Sequence, residues 1–252
     1  FMDSIPAIAG MTIDSENNFY FTRGEASFVD DADPNWRSYI YKISGIDGEV
    51  SQIAGIADIA DAPPIGPVAA MGNPVGGASS VKIDPSGEYL YYMAPYRGVD
   101  GVLEINFIQR IHLSTSMTER VAGVSGGDGI TVIGSDSNPL TSDIAVGFAM
   151  AWDSKGNFYF STYDHQIKKI IDGKIYHVAG TGEAGFSGDG DLAADAKLKL
   201  STSGFFIDEN DELYLSDSEN HKIRKIILST TEEADGIITS ICGSGEDESL
   251  GS

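Results

Sequence analysis

The sequence predicts an all-β fold, a β-propeller of four-stranded antiparallel blades. Three observations carry this: one pattern returns four times along the 252 residues, each copy is rich in aromatic and β-branched runs, and no segment sustains a 3.6-residue apolar period. The units fall at approximately 7–55, 78–123, 146–180 and 202–243 of a single domain spanning 1–252.

Each unit opens with a short apolar run that ends in Asp, at Asp14, Asp84, Asp153 and Asp208, so successive units start 70, 69 and 55 residues apart. A polar turn follows, and a carboxylate there is suited to capping the turn's backbone amides. The second runs, NNFYFT, EYLYYM, NFYFST and ELYLSD, have β-forming composition. In the third runs Ile40, Ile108, Ile167 and Ile223 share a column, as do Lys42, Arg110, Lys169 and Lys225, and then Ile43, Ile111, Ile170 and Ile226. Apolar residues on both parities predict sheets packed on both faces. The basic column is expected to pair with acids or to lie along an apolar blade edge with its charge in water. Each unit closes on a small residue and Gly, at Gly55, Gly123, Gly180 and Gly243.

Composition narrows the function. With 38 acidic against 16 basic residues the formal charge is −22, which repels nucleic acid, and no apolar run reaches the length of a membrane helix. The first ten residues lack the pattern of a secretion signal, which is expected of a chain that is mature, cytosolic or cut from a longer one. Cys242 is the sole cysteine, excluding an internal disulfide framework, and reads as a small buried hydrophobe.

The segments VAGTGEAGFSGDGDLAADAKL and GFFIDENDELYLSDSENHKIRKI, with the Asn220–His221 pair, resemble the NHL repeat of β-propellers. The resemblance is closest over 178–243, extends to 147–180 through DHQIKKI, and thins in the first two units, where Ser38 and Asn106 stand at the His position. It implies a propeller of usually six blades, serving as a recognition platform and in some relatives as an enzyme. Four blades of about 60° each leave such a ring open with two apolar faces. The chain is therefore expected to be a segment whose further blades come from the same or another chain, with a closed four-bladed ring as the alternative.

Several side chains are candidates for function. The connections between second and third runs are long in the first two units: 22–37, with Asp30, Asp31, Asp33 and Trp36, and 93–106, with Tyr96, Arg97 and Glu104. Long loops on a rigid scaffold carry recognition, and aromatics among charges supply contact and orientation. The inter-unit runs GGDG at 126–129 and GFSGDGDLAADA at 185–196 place Asp128 and Asp189 where a Ca²⁺ ion is conceivable. Neither run has the spacing of a calcium loop, so turn capping is the expected role of both. The run DLAADAKL is expected to form one helical turn with Leu192 and Ala196 inward.

His165 and His221 share a column, which points to a packing or hydrogen-bonding role; His112 and His177 lack a second ligand at metal spacing. The first runs, AIAGMTI, ASSVKI, GFAMAW and SGFFI, hold Lys82 as their one ionisable side chain, too few groups for acid–base or metal chemistry. The expectation is a non-catalytic propeller module binding a protein or glycan, or serving a structural role, in an extracellular or cell-surface assembly. The alternative is a fragment of a metal-dependent propeller hydrolase or lyase whose active groups lie in other blades.

Overall fold

The computed structural model describes residues 8–24, 38–55, 65–73, 75, 78, 80–97, 103–124, 137–200, 204–229 and 236–244. The chain divides into two compact units, one of residues 1–131 with 140–144, the other of 132–139 with 145–252.

In the first unit one antiparallel sheet is formed by β1 (Ile8–Ile13), β2 (Phe19–Gly24), β3 (Ser38–Ile43) and β4 (Val50–Ala54). A second contains β5 (Val68–Ala69), β6 (Ser80–Ile83), β7 (Tyr89–Arg97), β8 (Leu103–His112) and β9 (Met117–Ala122). Its order is β5-β9-β8-β7-β6, so β5, in the segment between the sheets, adds an outer edge strand. In the second unit β10 (Val146–Trp152), β11 (Phe158–Thr162), β12 (Ile167–Ile171) and β13 (Lys174–Ala179) form one sheet. The other consists of β14 (Phe205–Ile207), β15 (Glu212–Asp217), β16 (Lys222–Ile227) and β17 (Ile238–Cys242). The fold is thus all-β, made of antiparallel blades whose strands pair in chain order except for β5, which pairs with β9. Among the described residues no helix is long and apolar enough to cross a membrane.

The repeated residues have repeated mechanical roles. Each column Asp accepts backbone amide hydrogen bonds across its turn: Asp14 from Glu16 and Asn18, Asp84 from Tyr89, Asp153 from Lys155 and Asn157, and Asp208 from Asn210 and Glu212, all at 2.9–3.0 Å. Pairing of third and fourth strands is irregular just after Ile40, Ile108, Ile167 and Ile223, the same column in every sheet. These isoleucines lie opposite Ala54, Ala122, Ala179 and Cys242. The closing glycines follow with φ near +100°, at Gly55, Gly123 and Gly243, and +89° at Gly180. A Cβ at Gly180 would collide with the His165 carbonyl, and one at Gly243 with that of His221. Both histidines are themselves left-handed, with φ of 59° and 52°, so part of the role shared by this column lies in the backbone.

Within each unit the two sheets pack face to face. Tyr20, Ile40 and Ala54 of the first sheet meet Val81, Leu90, Tyr92 and Ile111 of the second. In the second unit Ala151, Tyr159 and Ile167 meet Phe205, Ile207, Leu213 and Ile226. The opposite face of the last sheet is open: Phe206, Ile223, Ile227 and Ile241 are 38–62% exposed. Cys242 projects on this face and is exposed, contrary to the buried reading, although Ala54, Ala122 and Ala179 in its column are fully buried. Its column position is core-like, but its face is uncovered.

The helical turn in the 185–196 run exists as a 3-10 turn, Ala193–Asp195. Ala193 and Ala196 are fully buried, whereas Leu192 is half exposed, so the small residues, not Leu192, face the core. The expectation that the basic column keeps its charge in water fails at Lys169, which is fully buried with its Nζ donating to the Ser229 carbonyl at 2.9 Å.

Candidate functional site

The first candidate is the hairpin of β7 and β8. Its strands have nine and ten residues, and they pair from Tyr89↔His112 through Tyr96↔Ile105 to Arg97↔Leu103. The last β6 partner is Ser80 opposite Met93, and the last β9 partner is Ala122 opposite Ile108. Among the described residues the ladder from Ala94 onward therefore continues about 13 Å beyond its last partners in β6 and β9, at some 3.3 Å per residue. Tyr96 and Arg97, expected in a loop, are strand residues here, the ladder continuing through Pro95↔Asn106 and Tyr96↔Ile105 to Arg97↔Leu103. Asp30, Asp31 and Trp36 lie outside the described residues, as does Asp128.

A second candidate lies at the opposite end of the same sheets. A cleft of about 330 Å³ is bounded by the turn Asp14, Ser15, Glu16 and Asn18, by Tyr20 and Lys42, and by Leu113, Ser114 and Ser116, with Ile53 and Ile111 among its apolar lining. Asp14 is fully engaged: besides two amides it accepts from Asn18 Nδ2 at 2.8 Å and the Tyr20 hydroxyl at 3.0 Å. Burial works to raise the Asp14 pKa, but these hydrogen bonds prevail and hold it below the ordinary value. The Tyr20 hydroxyl is pushed far up, by burial first and by its bond to Asp14 second. Lys42 lies directly opposite Tyr20 in the β2–β3 ladder, with Nζ 5.8 Å from the ring centre, and has no hydrogen-bond acceptor among the described residues.

Asp189 belongs to a different arrangement. Its Oδ1 accepts from Arg224 Nη2 and from the Ser240 amide, both at 2.8 Å. Arg224 is fully buried; it also donates to the carbonyls of Ser187 at 2.8 Å and Lys197 at 3.2 Å, and lies 3.7 Å from the buried Asp217. Burial tends to raise the Asp189 pKa, yet the hydrogen bond from Ser240 and the Arg224 charge hold it below the usual range. Among the described residues no group of three His, Cys, Asp or Glu is placed to hold a metal ion. Sequence reasoning passed over Arg224, although its signal was available: it lies on the same parity as Ile226, so its side chain enters the interior.

Of the other titratable candidates, Lys82 on β6 has its pKa lowered by burial. His177 is lowered by burial and then by the Lys168 charge, and its Nε2 lies 2.7 Å from the Gly180 carbonyl. His165 Nδ1 accepts the Leu200 amide hydrogen at 3.1 Å, a tie between the third sheet and the segment entering the fourth.

No family model matches the sequence, and no curated protein matches it. Among solved structures the chain is similar to an auxiliary nutrient binding protein from Bacteroides ovatus, with a TM-score of 0.50 and 14% identity over 89% of this chain and 60% of that one. It is also similar to TolB from Acinetobacter baumannii, with a TM-score of 0.49 and 14% identity over 94% of this chain and 44% of that one. The chain thus spans less than two thirds of the length of either structure. At such identities the likeness is one of fold.

Proposed function

We propose that this chain is an NHL-type part of a larger β-propeller that binds a protein or glycan without catalysing a reaction, in an extracellular or cell-surface assembly. The observation that carries this reading is the β7–β8 hairpin, whose paired ladder carries the backbone of Tyr96 and Arg97 beyond the last described partners in β6 and β9. Binding surfaces favour aromatic and Arg side chains on preorganised supports, because little entropy is lost on ordering them. A fold neighbour named for nutrient binding is in keeping with a binding role. The acidic surface suits a secreted protein that must stay solvated.

The larger ring is supported by the open face of the last sheet. Ile223 and Ile227 are exposed there, while Ile167 and Ile171 in the same columns of the preceding sheet are buried. A further blade is the cover this face fits, as the fourth sheet covers the third.

The test is binding to an immobilised library of glycans and secreted proteins, comparing the native chain with a Tyr96→Ala, Arg97→Ala double variant. Loss of a specific signal with an unchanged melting curve supports the hairpin as the site; an unaltered signal moves recognition elsewhere. Turnover of a lactone or amidated peptide that a chelator abolishes replaces this reading with the hydrolase or lyase one.

A further inference from the structure

The repeat supplies an internal control for the cleft in the first unit. Tyr159 and Lys169 are direct partners in the β11–β12 ladder, as Tyr20 and Lys42 are in β2–β3, and each tyrosine lies six residues after its turn Asp. In the second unit both donors meet one acceptor: the Ser229 carbonyl lies 2.9 Å from Lys169 Nζ and 3.3 Å from the Tyr159 hydroxyl. Ser229 belongs to the Leu-Ser-Thr that follows the third strand of the fourth sheet, and Leu113, Ser114 and Thr115 follow the third strand of the second sheet in the same way. Yet Ser114 lines the cleft without closing it. Its chain turns back at once, with the Ser116 amide bonded to the His112 carbonyl at 2.8 Å and Ser116 at φ +55°, so β9 starts at Met117. After Ser229 the next strand begins only at Ile238. Among the described residues neither Lys42 nor the Tyr20 hydroxyl is bonded to Ser114, as their counterparts are to Ser229.

Lys42 therefore presents an ammonium, among the described residues, to a space where the other unit holds an oxygen acceptor. The chemistry of the walls narrows what replaces it. Asp14 and Glu16 add two carboxylates to a lining that holds one ammonium, on a chain of formal charge −22, which disfavours an anion. The ammonium in turn disfavours a cation. A neutral hydroxyl accepts from Lys42 and donates to the Glu16 carboxylate, while Ile53, Ile111 and Leu113 offer apolar surface to C–H groups. A cleft of about 330 Å³ stands at the lower end of small-molecule sites. We propose that this cleft binds a neutral polyhydroxylated ligand the size of one sugar ring, with neighbouring hydroxyls bridging Lys42 and Glu16.

This site is separate from the hairpin and stands or falls without it. The experiment is titration of the intact chain with D-glucose, D-galactose, D-mannose and xylitol, followed by ligand-observed NMR and amide shift mapping. Saturable binding of at least one of them, with shifts at Glu16, Ser114 and Ser116, is expected. Lys42→Met, which keeps the apolar stem, should weaken that binding by about tenfold or more, the usual loss for a hydrogen bond to a charged group, and Glu16→Gln by less. The proposal is overturned if none of the four binds saturably, if the shifts fall elsewhere, if Lys42→Met binds as the native chain does, or if inorganic phosphate takes the same site more tightly.

Discussion

Between the first two sheets the Lys42 ammonium faces an open cleft, whereas between the last two the Lys169 ammonium is sealed in the interior against a backbone carbonyl. Both junctions use the same Asp, Tyr and Lys columns. They differ in the turn that follows the third strand of the neighbouring sheet, short at Leu113–Ser116 and long after Ser229. They also differ in the residue after the column Ile on the facing sheet, which is Gln109 in one and Arg224 in the other. Gln109 is fully buried and accepts from the Tyr92 hydroxyl at 2.7 Å, a local bond within its own sheet. Arg224 instead ties the inter-sheet segment, through Ser187, Asp189 and Lys197, to the sheet it enters. One junction is closed by a cation that the chain wraps, and the other is left with room.

The largest effect that sharpens this contrast is expected from Arg224→Ala. It removes the buried counter-charge of Asp217 and Asp189 and the Arg224 donor to the Ser187 carbonyl, while Asp217 keeps the Lys199 amide and Asn220 and the Lys197 carbonyl keeps the Ser187 amide, at a cost of about 3–5 kcal/mol. Gln109→Leu should cost only about 1 kcal/mol, since Tyr92 keeps Thr118 within reach. Urea unfolding of both variants measures the difference, and equal losses would break the comparison.

Next comes the lysine pair. Lys169→Ala removes a fully buried side chain and the nearer of the two donors to the Ser229 carbonyl, for roughly 2–4 kcal/mol. Lys42→Ala, at the open cleft, should stay within about 0.5 kcal/mol of the native chain. A large loss at Lys42 would mean that its ammonium has an acceptor in solution. Tyr159→Phe removes a buried hydroxyl shared between Asp153 and Ser229 and should cost about 1 kcal/mol. Tyr20→Phe should cost less by the same melting measurement, because its hydroxyl bonds only Asp14 among the described residues, whereas that of Tyr159 also reaches the Ser229 carbonyl.

The smallest effect is on pH dependence. His177 is held below the ordinary histidine value of 6.5 in the fold, so its neutral form is the stable one. Its contribution is fully present above that value and is lost as the pH falls through it toward the folded pKa. Gln52 occupies the matching register position in the first sheet and does not titrate. His177→Gln should therefore flatten the stability profile of the second unit below the ordinary histidine value, and an unchanged slope would remove His177 from that role.

Much of this was legible in the sequence because repetition makes each residue a comparison with its counterparts. The Asp turns, the Ile and basic columns and the closing glycines announced their roles by recurring where local backbone geometry demands them. Tyr96 and Arg97 were misplaced in a loop because a ladder's length depends on two strands finding each other, and neither strand alone shows where pairing stops. Leu192 was misread because it stands in extended conformation before the 3-10 turn, so of the two residues expected inward only Ala196 is buried, together with Ala193.

The sequence by itself showed four recurring strand units, the Asp turns within them and the glycines that close them, since these follow from local periodicity and turn chemistry, but neither the added edge strand β5 nor the inward Arg224 was read from it. Only the tertiary structure decided which faces have a neighbour. That is why Cys242 is exposed in a buried column, and why Lys169 is sealed while Lys42 opens on a cleft. Burial depends on what a separate stretch of chain brings against a side chain, and a turn a few residues shorter, far along the sequence, is enough to change it.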